Sequence, residues 1–143
     1  MFVKQISVFL ENKSGRLADA TRVLAENNID IRALSIAETT DYGILRLIVN
    51  KPDEAIHCFK EQDFAVSATT VIAIAIEDKP GGLTITLEAL EKENISVEYM
   101  YAFASNSGKE ALVIMKVNEK DKALEVLLQN KVKVMPLDEV YHI

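Results

Sequence analysis

Two short stretches carry the chemistry of this sequence: Glu11-Asn-Lys-Ser-Gly-Arg-Leu17 and Glu77-Asp-Lys-Pro-Gly-Gly-Leu83. Each sets a glycine between an alternating apolar run and a stretch of helical period. Gly15 and Gly81 let the backbone bend sharply and approach a ligand closely, and the helix amides just beyond them are unpaired donors with partial positive charge. Capture of a carboxylate is the chemistry such a corner performs. Asn12 and Asp78, three residues before each glycine, are placed to brace the corner or to accept from an amino group. A plain strand-to-helix turn is the competing account, and these residues alone leave both open.

Other reactive residue types are sparse. His57 falls in a helical stretch and His142 next to the last residue, and the pattern brings no acid or nucleophile to either for acid–base or covalent catalysis. Cys58, the single cysteine, has no CxxC partner for zinc or thiol exchange and reads as a small buried apolar residue. No GxxxxGK[ST] loop occurs, and Pro80-Gly-Gly-Leu83 is too short to cradle a phosphate. The sequence therefore predicts no catalytic residue, no metal and no cofactor, that is, a protein that is not an enzyme. A formal net charge of −6 without a basic run argues against nucleic acid, although Tyr99, Tyr101 and Phe103 supply rings of the kind RNA-binding sheets present. No apolar run approaches the roughly 20 residues that cross a bilayer. The opening MFVKQISVFLEN reads as a strand and not a secretory signal, so a cytoplasmic location is expected.

The elements that must hold the two corners come as a repeat. At an offset of 66 residues Ile6 meets Ile72, Gly15 meets Gly81, Leu17 meets Leu83 and Asn28 meets Asn94; at 68, Val49 meets Val117, Asp53 meets Asp121 and Val66 meets Val134. A two-residue insertion near Ser105-Asn-Ser-Gly-Lys-Glu110 accounts for the slip. Ile6, Val8 and Leu10 alternate as one strongly buried strand face, with Gln5, Ser7 and Phe9 on the other. Leu17, Ala20, Val23 and Leu24 recur at helical spacing, with Ser14 predicted to cap the helix start and Asn27 or Asn28 to end it in the left-handed conformation. DIRALSIAE and ILRLIVN read as strands around a TTDYG turn, PDEAIHCFKEQ as a helix and FAVSA as a fourth strand. The second half repeats this order with strands TVIAIAI, ISVEYMYAFA, EALVIMKV and KVKVM, and with helices from about Gly82 to Glu93 and from Glu119 to Gln129. The fold class expected is α+β: two ferredoxin-like βαββαβ units, residues 1–68 and 69–143, each an antiparallel sheet with its helices on one face.

Asn12-Lys-Ser-Gly15-Arg-Leu17 and Asp78-Lys-Pro-Gly81-Gly-Leu83, followed by helices ending in AENNIDI and EKENISV, resemble the first loop and helix of the ACT domain. The resemblance runs from Met1 to about Pro136 and is to stand-alone proteins with two such domains. It implies a sensor of free amino acids that regulates a metabolic enzyme or pathway. It also implies that ligand lies between one domain's first loop and the other's second strand, which pairs Asn12, Ser14, Gly15, Arg16 and Leu17 with Tyr101 and Ala102. The second site would pair Asp78, Pro80, Gly81, Gly82 and Leu83 with Ser35 and Ile36. Ser14 stands where the family usually has proline, and Arg16 stands opposite Gly82, so the two sites are expected to differ. Ala33, Ser35 and Ala37 align with Tyr99, Tyr101 and Phe103, which predicts one roomier site and close to one ligand per chain.

On the sheet faces away from the helices, Phe9, Ile44, Ile48, Val71, Ala73, Tyr99, Tyr101, Phe103, Leu112 and Ile114 would form a patch larger than the few hundred Å² monomers usually expose. Stacking two such faces about 10 Å apart would bury it, so at least a homodimer is expected. The final LDEVYHI either adds to that cover or packs on its own chain. The alternative to a sensor is a structural or protein-interaction module that binds no small molecule.

Overall fold

The computed structural model describes residues 1–39, 41–104 and 108–141. Thr40 of the TTDYG turn, part of the inserted stretch and His142 lie outside them.

The first repeat contains β1 (Phe2–Glu11), α1 (Arg16–Glu26), β2 (Ile31–Glu38), β3 (Tyr42–Val49) and α2 (Pro52–Glu61), and leads into β4 (Ala65–Glu77). From β4 the second repeat continues through α3 (Gly82–Lys92), β5 (Val97–Ala104), β6 (Glu110–Val117), α4 (Lys120–Gln129) and β7 (Lys133–Val134), and a short α5 (Leu137–Tyr141) follows. The order βαββαβ thus occurs twice, with the ferredoxin-like arrangement expected. FAVSA and TVIAIAI, read as two strands, are one strand of 13 residues. No glycine, proline or asparagine interrupts Ala65–Glu77, and β-branched residues recur along it, so nothing in the stretch turns the chain.

Two compact units result, Lys4–Thr69 joined by Tyr141, and Thr70–Val140 joined by Met1–Val3. In the first the strand order is β2-β3-β1-β4. Antiparallel ladders set Leu45 and Leu47 beside Val8 and Ile6, and beside Ile36 and Leu34. Helix-facing side chains of β1 and β3 meet Ala20, Val23 and Leu24 of α1 and Ala55 and Phe59 of α2 in one core. Burying each large aliphatic or aromatic side chain there stabilises by about 1.5–3 kcal/mol. In the second unit β6 pairs β4 and β5, and β7 pairs the other side of β4. Its core joins Ile72, Ile74, Val113 and Met115 to Leu90 of α3 and Leu127 of α4, with Phe2 packed against it. β2 and β5 are each the outermost strand of their own unit.

Helix ends follow the turn chemistry of the sequence. Asn28 and Asn94 take φ of +56° and +57°, and Asp63 and Lys131 do the same after α2 and α4. The start of α1 differs from expectation: Gly15 is its N-cap, and no side chain, Ser14 included, caps it. The left-handed Gly15 takes the cap position and leaves Ser14 one residue outside it.

The exposed patch behind the dimer argument is smaller than expected. Ile48, Val71, Ala73, Leu112 and Ile114 are buried within the single chain, as are Gln5 and Ser7. Alternation along β1 marked one strongly buried face, whereas Gln5–Val8 are buried without a break because both faces of the strand are covered within the chain. The described part of the C-terminal segment, Leu137–Tyr141, packs on its own chain: Val140 is buried, and the Tyr141 hydroxyl accepts from the Lys4 amide at 3.2 Å.

Candidate functional site

The two repeated corners share one backbone path. Gly15 and Gly81 have φ of +91° and +86°, with nothing within 4 Å of where a Cβ would stand. Glycine is needed there for its backbone freedom and not for room. In each, a lysine amide turns back onto the carbonyl at the strand end, Lys13 to Glu11 at 2.8 Å and Lys79 to Glu77 at 2.9 Å. The same residues pair through their side chains, at 3.4 Å and 2.6 Å. Helical bonding begins with Asp19 N–H to the Gly15 carbonyl and Ile85 N–H to the Gly81 carbonyl. The amides of Leu17, Ala18, Leu83 and Thr84 therefore find no acceptor among the described residues. Each corner offers two adjacent free donors at a helix start, where a carboxylate gains about 0.3–1 kcal/mol from the helix dipole alone.

One residue makes the corners unequal. A Cβ on Gly82 would overlap the Glu77 carbonyl, so the second corner closes onto the end of its strand only because Gly82 has no side chain. Arg16 stands at the equivalent position of the first corner. Its guanidinium lies 4.5 Å over the Phe64 ring and 3.4 Å from Asp19. Hydrogen bonding from Arg22, at 2.9 Å, holds the Asp19 carboxyl below the usual carboxylate range, with Arg16 adding to the effect.

Beside the first corner is an open cavity of about 320 Å³. It brings together Asn12, Ser14, Arg16, Leu17 and Ile36 from the residues singled out in the sequence. Asn12 braces the corner by donating from Nδ2 to the Thr39 carbonyl at 2.8 Å, which ties the loop to the end of β2. Ile36 was expected opposite the second corner; it borders the first, in its own unit, because its ladder neighbour is Leu45 of β3, the strand paired with β1. Leu10, Glu11, Lys13, Glu38 and Gly43 complete the wall and were missed. For Glu38 and Gly43 the signal was the TTDYG turn, which sets Gly43 opposite Leu10 and Glu38 opposite Gly43; the others belong to the strand end and the corner motif. The lining holds both cationic and anionic side chains, as a zwitterion requires.

The remaining candidates are described within their own units. Ser35 is half-buried opposite Arg46. Tyr101 and Ala102 lie on β5 opposite Ile114 and Val113. Asp78, Pro80 and Gly81 are exposed, whereas Leu83 is half-buried against the second core. Among the described residues no three His, Cys, Asp or Glu side chains gather as metal ligands do, and no helix is long and apolar enough to cross a membrane.

Comparison with known proteins places this geometry. No curated protein matches the chain. Protein BT0572 from Bacteroides thetaiotaomicron is 45% identical with a TM-score of 0.95, over 100% of this chain and 98% of that one. The regulatory subunit of aspartate kinase from Thermus thermophilus, in its ligand-free form, shares the fold at 16% identity and a TM-score of 0.63, over 89% and 91% of the two chains. The corresponding subunit from Thermus flavus does so at 14% identity and a TM-score of 0.59, over 90% and 92%. The family described as an ACT domain pair matches residues 1–142, and the chain belongs to that family.

Proposed function

We propose that this protein is a non-catalytic sensor that binds a free amino acid and regulates a metabolic enzyme or pathway. The observation that carries the reading is the first corner: free amides of Leu17 and Ala18 beside a cavity of about 320 Å³ whose wall includes both Lys13 and Glu38. The ligand's carboxylate is held by the amides after Gly15, and its ammonium by carbonyls of the second strand of another ACT-like unit. Binding orders the loop and shifts an equilibrium with a partner enzyme or subunit. The regulatory role of the aspartate kinase subunits that share the fold supports this reading.

Assembly into at least a homodimer remains part of the proposal, but on different residues. The outer edge of β2 carries Leu34 and Ile36, both 52% exposed, beside unpaired backbone groups of the kind that template further strand pairing. That same edge favours the second reading, a protein-interaction module without a small ligand. A melting scan with each of the twenty amino acids separates the two. A ligand at a hundred times its dissociation constant stabilises by about 2.7 kcal/mol, which is roughly 8 °C for a chain of this size. A rise for one amino acid or a related few supports the sensor, and none at millimolar concentration supports the interaction module.

A further inference from the structure

A second cavity, of about 300 Å³, lies in the Thr70–Val140 unit on the β7 side of α3. Its origin is visible in the repeat. Arg16, Asp19, Gln62 and Phe64 border a site in the first unit; their repeat equivalents, Gly82, Ile85, Asn130 and Val132, border this one. In the first unit the protein lays its own guanidinium on Phe64 at 4.5 Å. The second unit has lost both partners of that contact, Arg16 to Gly82 and Phe64 to Val132. The charge is also reversed: left-handed Asp63 becomes left-handed Lys131.

Two further features point to a ligand. Thr86 is 2% exposed and lines the cavity, and its hydroxyl has no hydrogen-bond partner among the described residues. Buried hydroxyls are ordinarily paired, within a helix often to the carbonyl four residues back. Beside it the α3 amides of Leu83 and Thr84 are free donors. The charge around the cavity limits what can enter. Lys79 is paired with Glu77 at 2.6 Å and Lys133 with Glu110 at 3.4 Å. Lys131 has no carboxylate partner among the described residues, so one positive charge is in excess. Ile76, Ile85 and Val132 supply an apolar wall.

We propose that this cavity binds a small monocarboxylate with a short aliphatic tail. Its carboxylate takes the Thr86 hydroxyl and the Lys131 ammonium, and its tail lies on the isoleucine and valine wall. The site is separate from the corner assigned to the amino acid. The test is an amide nitrogen–proton correlation titration of the full chain with 3-methylbutanoate, with 3-methylbutan-1-ol and inorganic phosphate as comparisons. Saturable shifts at Thr84, Ile85 and Thr86 with the carboxylate, and none with the alcohol, are expected. Thr86→Val and Lys131→Gln should each weaken binding about tenfold, as loss of a charge-assisted hydrogen bond does. Val132→Phe, which restores the ring of the first unit, should abolish it, and the exposed Lys131→Gln keeps the test independent of how that core variant folds. No saturable shift at millimolar carboxylate, undiminished binding in Thr86→Val and Lys131→Gln, or phosphate binding as tight as the carboxylate would overturn the proposal. A failed amino-acid scan or an unaffected Gly15→Val variant bears on the first corner alone.

Discussion

Gly81 and Gly82 are neighbours in sequence that resist substitution for different physical reasons. At Gly81 an added methyl meets open space, so alanine costs only what a left-handed φ of +86° imposes, about 1 kcal/mol. At Gly82 the methyl collides with the Glu77 carbonyl, which cannot swing aside as a side chain does because Glu77 is held in the ladder opposite Glu110. Overpacking against fixed backbone costs about 3 kcal/mol. Thermal melting should therefore drop by roughly 3 °C in Gly81→Ala and by roughly 10 °C in Gly82→Ala, with urea midpoints ordered alike. Asparagine tells the causes apart: it tolerates the left-handed region, so Gly81→Asn should recover part of the loss, and Gly82→Asn should be no better than Gly82→Ala. If Gly82→Ala melts within about 2 °C of wild type, the steric account of the unequal corners is wrong.

The other predictions concern the first unit. Arg16→Gly, which copies the second corner, should lower stability by about 1 kcal/mol through loss of the contact with Phe64, read from the urea midpoint; an unchanged midpoint would mean that the ring contact adds nothing. Asp19 has a lowered folded-state pKa, so its contribution is full above the ordinary carboxylate range and is lost as pH falls through the folded value. Urea midpoints followed downward from neutral pH should accordingly fall less steeply in Asp19→Asn than in wild type. Leu34→Lys places a charge on the outer edge of β2 and should shift sedimentation toward monomer while leaving the melting of the isolated chain nearly unchanged.

Much of the architecture was legible because its signals are local and duplicated. The switch from alternation in Ile6, Val8 and Leu10 to helical spacing in Leu17, Ala20, Val23 and Leu24 marked a strand and then a helix, and a second copy confirmed the order. The merger of two strands into Ala65–Glu77 was less visible, since two segments of equal strand propensity give no mark where one ends. Burial of Val71 and Ile114 within the single chain was missed for a different reason: period two says which residues share a face, not whether that face meets water. At the site, Asn12 and Gly15 were singled out from turn chemistry, and Arg16 from the family resemblance. Lys13 lay within the corner motif itself, whereas Glu38 and Gly43 come to the same cavity only through the β1–β3 and β2–β3 ladders, whose registers a single short motif does not contain. Gly82 stood out as a departure between the repeats, but its cause, the approach of the Glu77 carbonyl, exists only in three dimensions.

The central claim is that the corner after β1 captures an amino acid through its free amides. Correlation spectra recorded with the amino acid that gives the largest melting shift test it most directly. Saturable shifts at Leu17 and Ala18 that disappear in a folded Gly15→Val variant are the predicted result. Undiminished binding in that variant, or shifts confined to residues away from Asn12–Leu17, would contradict it.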